Sequence, residues 1–151
     1  MSHALVGIII GSKSDLEVMQ GTTEQLNAFD VPYELVIASA HRNPQKVHAW
    51  AEKAADEGMK VIIAAAGKAA HLAGVVAAFT PLPVIAVPMK TSDLGGLDSL
   101  LSMVQMPTGV PVATVAINGA KNAAILATQI LGTSDERYRK TIEEFKEKMA
   151  E

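Results

Sequence analysis

The sequence contains no cysteine, and only 4% of its 151 residues are aromatic. The first absence excludes disulfides, thiolate catalysis and cysteine-based metal sites, and it is typical of a reducing compartment. The second means that the core must be built from alanine, valine, isoleucine and leucine, although 49% of the chain is apolar. This apolar surplus over an average soluble domain predicts surface hidden between subunits, and therefore a homo-oligomer.

No segment is rich in lysine or arginine, and the formal net charge is -3 with a pI near 5.8. Such a chain carries no electrostatic footprint for nucleic acid or an anionic membrane, so we expect a small-molecule ligand. Two charge-free stretches, 69–89 and 99–120, are long enough to span a bilayer, but prolines at 81, 83, 88, 107 and 111 would interrupt each as a helix. The N-terminus has neither a basic start nor a small-residue cleavage site, which favours a cytoplasmic protein.

Apolar, β-branched runs alternate with segments of helical spacing. The predicted strands cover 4–10, 33–38, 60–65, 83–87 and 111–117. The helices between them start at Asp15 and at Pro44, then cover 69–79, 97–104 and 120–131. Continuous apolar strands are typical of a sheet covered on both faces. The pattern predicts a doubly wound, largely parallel sheet in a three-layer α/β/α sandwich, with ligands beyond the carboxyl ends of the strands.

The first predicted strand ends in GSKSD, residues 11–15. Gly11 allows a turn, while Ser12 and Ser14 offer hydroxyl and N–H groups that suit an anion. The motif has neither the glycine spacing of a P-loop nor that of a dinucleotide fingerprint. Taken alone, simple helix capping by Ser14 or Asp15 is the better interpretation.

The second predicted strand ends in ASAHRNP, residues 38–44. Arg42 at this edge can hold a phosphate with two hydrogen bonds, and His41 can move a proton near neutral pH. The structural alternative is that Ser39 or Asn43 caps the next helix and His41 is an ordinary polar residue. Because two strand ends offer complementary groups, we favour a functional site.

The third strand leads into AAAGKAAHLAG, residues 64–74. Its small residues would let the backbone approach a ligand closely. His71 is a second candidate, although a structural histidine facing another subunit is somewhat more common, and Lys68 is either a ligand contact or a solvated surface lysine. The loop after strand four, MKTSDLGGLDSL, could supply walls of the pocket. No HExxH motif, carboxylate cluster with metal spacing or Gly-x-Ser-x-Gly elbow is present, which disfavours metal-dependent and serine hydrolysis.

These motifs resemble the N5-carboxyaminoimidazole ribonucleotide mutase family of purine biosynthesis. The resemblance runs in register from about Leu5 to Leu131. It is carried by GSKSD, SAHRNP, the loop from Gly67 to Gly74 with its AAHL, PLPVIAVP, LDSLLSMVQMPTGVPVATVAI and AKNAAILA. It implies a flavodoxin-like catalytic domain over 1–132, a homo-octamer, and neither cofactor nor metal. Beyond the resemblance, residues 133–151 have helical spacing that places Tyr138, Ile142, Phe145 and Met149 on one face. This predicts a C-terminal helix that packs either on its own domain or on a neighbouring subunit.

The resemblance also implies an activity and a set of site residues. The family moves a carboxylate from the exocyclic nitrogen of the substrate to C4 of its imidazole, with carbon dioxide as an intermediate. His41 corresponds to its general acid/base. The positions that correspond to substrate-binding ones, or lie beside them in the same loops, are Ser12, Ser14, Asp15, Ser39, Ala40, Arg42, Gly67, Lys68, His71 and Leu72.

The sequence departs from the mutase pattern in the third loop. Lys68 stands where the family has a second glycine, Ala73 where it has a proline, and Ala65 and Ala86 where it has glycines. A related branch carboxylates aminoimidazole ribonucleotide directly with carbon dioxide and has a basic residue after the loop glycine. That branch lacks AAHL, which is intact here at 69–72, so we favour the mutase. A non-catalytic nucleotide-binding module and a flavodoxin-like electron carrier are the alternatives from other classes; too few aromatic residues follow the strands for the latter.

Overall fold

The computed structural model describes residues 3–151. Strands and helices alternate along the chain until two helices follow one another at its end. The elements are β1 (Val6–Ile10), α1 (Leu16–Ala28), β2 (Tyr33–Ile37), α2 (Pro44–Ala54), β3 (Val61–Ala66), α3 (Leu72–Phe79), β4 (Val84–Pro88), α4 (Leu97–Val104), β5 (Ala113–Thr114), α5 (Ala120–Gly132) and α6 (Glu136–Met149). A single 3-10 turn, Lys13–Asp15, precedes α1.

The five strands form one parallel sheet in the order β2-β1-β3-β4-β5. This is the strand order of flavodoxin-like folds, and the predicted α/β three-layer sandwich is confirmed. One apolar core joins the sheet to α1, α5 and α6, and the other joins its opposite face to α2 and α3. Every residue of β1, β3 and β4 is buried, because parallel strands are covered by crossover helices on both faces.

Several predicted boundaries are wrong by one to three residues, and two of these differences have a clear physical reason. The fifth strand was expected over 111–117, but only Ala113 and Thr114 pair with β4. Pro111 has no N–H to donate, and edge strands with proline are short. The third helix was expected from residue 69 but begins at Leu72. Residues before it form a turn instead, since Lys68 has a φ of 59° and the His71 N–H is donated to the Ala69 carbonyl.

The C-terminal helix packs on its own chain. Tyr138 and Ile142 are buried in the core shared with α1 and α5, and the Phe145 ring meets the edge of Phe29 with centroids 5.3 Å apart. Met149 was expected on the same apolar face, but 62% of it is exposed. It is the last residue of α6, so the buried face ends with Phe145. None of the helices described in residues 3–151 is both long and apolar enough to cross a membrane.

Candidate active site

Two adjoining pockets open at the edge where the carboxyl ends of the strands meet. Parallel strands all end at this edge, so the loops that follow β1, β2, β3 and β4 converge there although they are far apart in sequence. We call the first the histidine pocket and the second the lysine pocket. Both include Ser12, Asp15, Arg42 and Gly67. The two pockets are therefore parts of one cleft.

The histidine pocket lies over β2, β1 and β3 and has a volume of about 100 Å³. Its lining residues are Gly11, Ser12, Asp15, Ser39, Ala40, His41, Arg42, Ala66, Gly67, Ala69, His71 and Leu72. The lysine pocket lies over β1, β3 and β4 and has a volume of about 340 Å³. Its lining residues are Ser12, Ser14, Asp15, Arg42, Gly67, Lys68, Met89, Lys90, Thr91 and Ser92. Each of the eleven residues singled out from the sequence therefore lines one or both pockets.

The loop after β1 is organised by its own hydroxyl groups. Ser12 Oγ accepts a hydrogen bond from the Ser14 N–H at 3.3 Å and lies 3.0 Å from Ser14 Oγ. Asp15 precedes α1, but its carboxylate caps no N–H group of that helix. Capping by Ser14 or Asp15, the simpler interpretation of GSKSD, is therefore wrong, since Ser12 is the residue that caps the 3-10 turn. The Asp15 carboxylate and the Ser14 hydroxyl remain at the cleft.

The loop after β2 presents His41 and Arg42 to solvent on a tight turn. The Ser39 hydroxyl accepts hydrogen bonds from the Arg42 N–H at 3.1 Å and from Arg42 Nε at 3.4 Å. Asn43 Oδ1 accepts from the Lys46 N–H and caps α2, with Pro44 at the first helical position. The capping interpretation thus holds for Asn43, while Ser39 orients the arginine.

The two histidines of the cleft meet across the histidine pocket. His41 Nε2 lies 2.7 Å from His71 Nδ1, and the rings are nearly perpendicular, with centroids 4.8 Å apart. His71 stands at the start of α3, but its side chain caps nothing in that helix. A hydrogen bond between two ring nitrogens requires that one carry a hydrogen and the other not. One of these two nitrogens therefore donates to the other, and this direct link between the rings is a suitable arrangement for proton transfer.

Asp15 is the one acidic residue that lines both pockets. Partial burial removes water from its carboxylate, and this desolvation raises its pKa above the ordinary value. Among the described residues, Asp15 forms no ion pair with a lysine or arginine. A partly desolvated carboxylate without a cationic partner suits hydrogen bonding to hydroxyl groups of a ligand.

The loop after β4 supplies walls of the lysine pocket, as expected from the sequence, although none of its residues was named individually there. Lys90, Thr91 and Ser92 line the lysine pocket. Hydrogen bonds hold this loop: the Thr91 hydroxyl lies 2.9 Å from both oxygens of the Asp98 carboxylate, and the Lys90 N–H donates to Asn118 Oδ1 at 2.9 Å. Their place in the sequence indicates that they lie at the pocket, because they directly follow a buried strand of the sheet. No group of three acidic or histidine residues within 3–151 is arranged to hold a metal ion.

The fold and the cleft define a flavodoxin-like domain with a polar, histidine-containing small-molecule site at the carboxyl edge of its sheet. The family model described as AIR carboxylase matches residues 5–151. The chain belongs to that family. It is 58% identical over 144 residues to the N5-carboxyaminoimidazole ribonucleotide mutase of Thermotoga maritima. The matched region covers 95% of this chain and 84% of that relative.

A second group of relatives is longer. The chain is 56% identical over 147 residues to the phosphoribosylaminoimidazole carboxylase of Candida glabrata, but it spans only 26% of that protein's length. Among solved structures, a crystal structure of PurE from Treponema denticola superposes with a TM-score of 0.89 at 29% identity, covering 97% of this chain and 92% of that one. The resemblance to the mutase family and the flavodoxin-like fold are both confirmed.

Asp15→Asn is expected to raise the free energy of unfolding at pH 7. The folded chain holds the Asp15 proton more tightly than the unfolded chain, so ionisation of the carboxyl above its pKa destabilises the fold. The difference in unfolding free energy between Asp15→Asn and the parent should shrink as the pH falls from the raised pKa of the folded chain towards the ordinary pKa. At that pH the carboxyl of the parent is itself protonated. Urea denaturation at about pH 7 and at about pH 4 measures this.

The matched control is Asp56→Asn, which changes an exposed carboxylate beyond the end of α2. It should alter stability little at either pH. Equal unfolding free energies for Asp15→Asn and the parent at pH 7 would contradict the assignment of a desolvated carboxylate at this position.

Proposed function

We propose that this protein is an isomerase of purine biosynthesis that converts N5-carboxyaminoimidazole ribonucleotide to 4-carboxy-5-aminoimidazole ribonucleotide. One observation carries the proposal: His41 and His71 share a hydrogen bond of 2.7 Å beside a cleft that also holds Ser12, Asp15 and Arg42. Relatives at 55–58% identity that bear the mutase name support it.

The reaction consists of bond cleavage, recapture and proton transfer. The bond between the exocyclic nitrogen and the carboxyl carbon breaks, releasing carbon dioxide and leaving its electron pair on nitrogen, which takes up a proton. C4 of the resulting enamine-like imidazole then attacks carbon dioxide and forms a carbon–carbon bond. Finally C4 loses its hydrogen as a proton. The proton gained by nitrogen and the proton lost from C4 balance, so one acid/base group completes the cycle.

His41 is the proposed general acid/base. It is exposed at the histidine pocket, and His71 can hold the proton that His41 gives up or supply one to it. Holding carbon dioxide beside C4 makes its recapture effectively unimolecular, which removes much of the entropic barrier. The walls formed by Ala40, Ala66 and Ala69 offer a neutral gas molecule no competing nucleophile.

The remaining site residues are proposed to bind the ribonucleotide. Asp15 is suited to accept hydrogen bonds from ribose hydroxyls, and Arg42, oriented by Ser39, is suited to an anionic group. The backbone of Gly67 and the side chains of Ser12 and Ser14 border the same space, and Leu72 contributes an apolar wall. We assign no cofactor and no metal to this chemistry, because proton transfer and carbon dioxide capture require neither.

A direct carboxylase of the same fold is the alternative function. It is favoured by the name of the Candida glabrata relative and by the basic residue Lys68 after the loop glycine. The intact AAHL, with His71 paired to His41, favours the mutase.

Supplying each substrate separately distinguishes the two activities. The purified protein should turn over N5-carboxyaminoimidazole ribonucleotide rapidly without added bicarbonate, because the carbon dioxide that it captures comes from the substrate itself. Absorbance of the C4-carboxylated product measures the rate. Activity with aminoimidazole ribonucleotide and bicarbonate, and none with the N5-carboxylated compound, would overturn the mutase assignment in favour of the carboxylase.

His41→Asn is expected to lower kcat by roughly 10²- to 10⁴-fold, the usual contribution of a general acid/base. Ribonucleotide binding should persist, since Arg42 and Asp15 are unchanged, and calorimetric titration checks this. His48→Asn is the matched control: His48 lies on α2, pairs with Glu52 at 2.8 Å and lines neither pocket. Full activity of His41→Asn would contradict the general acid/base role of His41, whereas a parent protein that binds the ribonucleotide without turning it over would support a non-catalytic nucleotide-binding module.

We further propose a homo-octamer with the cleft near subunit contacts. Its support is an apolar surface on and beside α4, where Leu94, Leu97, Leu101 and Val104 are exposed by 64%, 50%, 47% and 48%. Sedimentation equilibrium should give a mass of eight chains of 15.9 kDa. A monomer at micromolar concentration would contradict the assembly, and Leu101→Glu should lower the mass.

Two further assignments follow from the proposed substrate and from the placement of the site. We assign catalysis to residues 1–132, because each residue proposed to act lies between Ser12 and Leu72. The cytoplasm is the proposed location, because a phosphate ester does not cross a bilayer unaided and must be used where it is made. Cell fractionation checks this.

A further inference from the structure

Lys68 has an unusual backbone conformation for its residue type. Three residues other than glycine within 3–151 have positive φ, namely Asp30, Lys68 and Asn118. Aspartate and asparagine tolerate the left-handed region because their short side chains bond to the nearby backbone, whereas lysine gains nothing comparable. Glycine would adopt the same φ of 59° without strain. A residue held in a sparsely populated conformation beside a ligand pocket suggests a role for its side chain.

The side chain of Lys68 lines the lysine pocket and reaches across to a second loop. Its Nζ lies 3.2 Å from Asp93 Oδ2, so the ion pair links the loop after β3 to the loop after β4. The two side chains are 74% and 51% exposed. Ion pairs this exposed contribute little to stability, because water screens the charges and two mobile side chains are ordered. Stability therefore does not account for a strained lysine at this position.

The lysine pocket is rich in groups that bind anions. Its cations are Arg42, Lys68 and Lys90, and its only carboxylate is Asp15. Among residues 3–151, neither Arg42 nor Lys90 forms an ion pair with a carboxylate. Hydroxyl groups of Ser12, Ser14, Thr91 and Ser92 complete the lining. Several cations with clustered hydroxyl donors are the groups that recognise a phosphate monoester, which offers two charges and three acceptor oxygens.

The position of the histidines assigns the two ends of the substrate to the two pockets. The reacting imidazole must lie beside His41 and His71, which line the histidine pocket and not the lysine pocket. Ser12, Asp15, Arg42 and Gly67 lie between the two pockets, where a ribose would bridge them. The phosphate then falls on the side of Lys68 and Lys90.

We propose that Lys68 is a substrate-binding residue of this chain that exchanges Asp93 for the phosphate monoester when the ribonucleotide enters. The inference rests on the proposed function. In the empty site Asp93 holds the ammonium group at the lysine pocket, and in the complex the doubly charged phosphate replaces it as the stronger partner. Asp93 thus competes with the substrate, and the two residues have opposite effects on affinity.

Substitutions at both positions test the exchange. Lys68→Asn keeps a residue that tolerates positive φ while removing the charge, so it should fold at least as well as the parent. Its KM should rise roughly tenfold with kcat little changed, since one exposed charged hydrogen bond to phosphate is lost. Lys68→Arg should retain most of the affinity. Asp93→Asn should lower KM severalfold, because the competing carboxylate is gone.

The combined variant and salt dependence separate binding from a structural role. Lys68→Asn/Asp93→Asn should match Lys68→Asn alone, because removing the competitor has no effect once the ammonium is absent. The KM of the parent should rise more steeply with ionic strength than that of Lys68→Asn. The matched control is Lys60→Asn, an exposed lysine at the opposite end of β3, which should leave KM and its salt dependence unchanged. If both single substitutions raise KM alike, the pair is only a structural link and the exchange is refuted.

Binding of ribose 5-phosphate makes the test independent of turnover. Calorimetric titration should show roughly tenfold weaker binding to Lys68→Asn than to the parent. If the parent turns over neither imidazole substrate, the proposed function fails, and this titration still decides the role of Lys68. Equal binding by the parent and Lys68→Asn would overturn the inference, whether or not the parent is active.

Discussion

The parallel register of β1 with β2 and β3 is the constraint on which the site depends. Ile10 lies beside Ile37 on one side and Ala65 on the other, so three strands end within one residue of each other. The loops after them hold Ser12, His41 and His71. Because a strand rises about 3.3 Å per residue, a register shift of one residue would move a loop by more than the length of the histidine hydrogen bond.

Burial of the strands explains why the polar groups appear where they do. β1, β3 and β4 are covered on both faces and contain no charged side chain. Charged and hydrogen-bonding groups are excluded from such strands by the cost of desolvation, so they accumulate just beyond the strand ends. Asp15 shows that this cost is not fully avoided, because its carboxyl stays partly desolvated. The polar groups of the cleft therefore lower the stability of the empty protein, and a ligand can supply the hydrogen bonds that they lack.

Much of this arrangement follows from the sequence because the signals are local. Continuous apolar runs predict the buried strands, Asn43-Pro44 predicts the start of α2, and polar residues directly after strands predict the cleft. The fifth strand and the start of α3 were misjudged, because edge pairing and the left-handed turn at Lys68 depend on contacts outside each segment. The pairing of Nε2 of His41 with Nδ1 of His71 could not be predicted, since it depends on two ring orientations set by separate loops. The loop after β4 was expected at the pocket, but which of its residues line it depends on β4 lying beside β3.

The distribution of the cleft over four loops has a consequence for the order of folding. Its residues come from segments that follow β1, β2, β3 and β4, and Ser92 lies 80 positions after Ser12. The Lys90 N–H donates a hydrogen bond to Asn118, which follows β5. No contiguous fragment short of this length contains the complete set of binding groups. A chain emerging from the ribosome can therefore gain its binding site only after most of the sheet has formed, and ligand binding reports on the whole domain rather than on any one part.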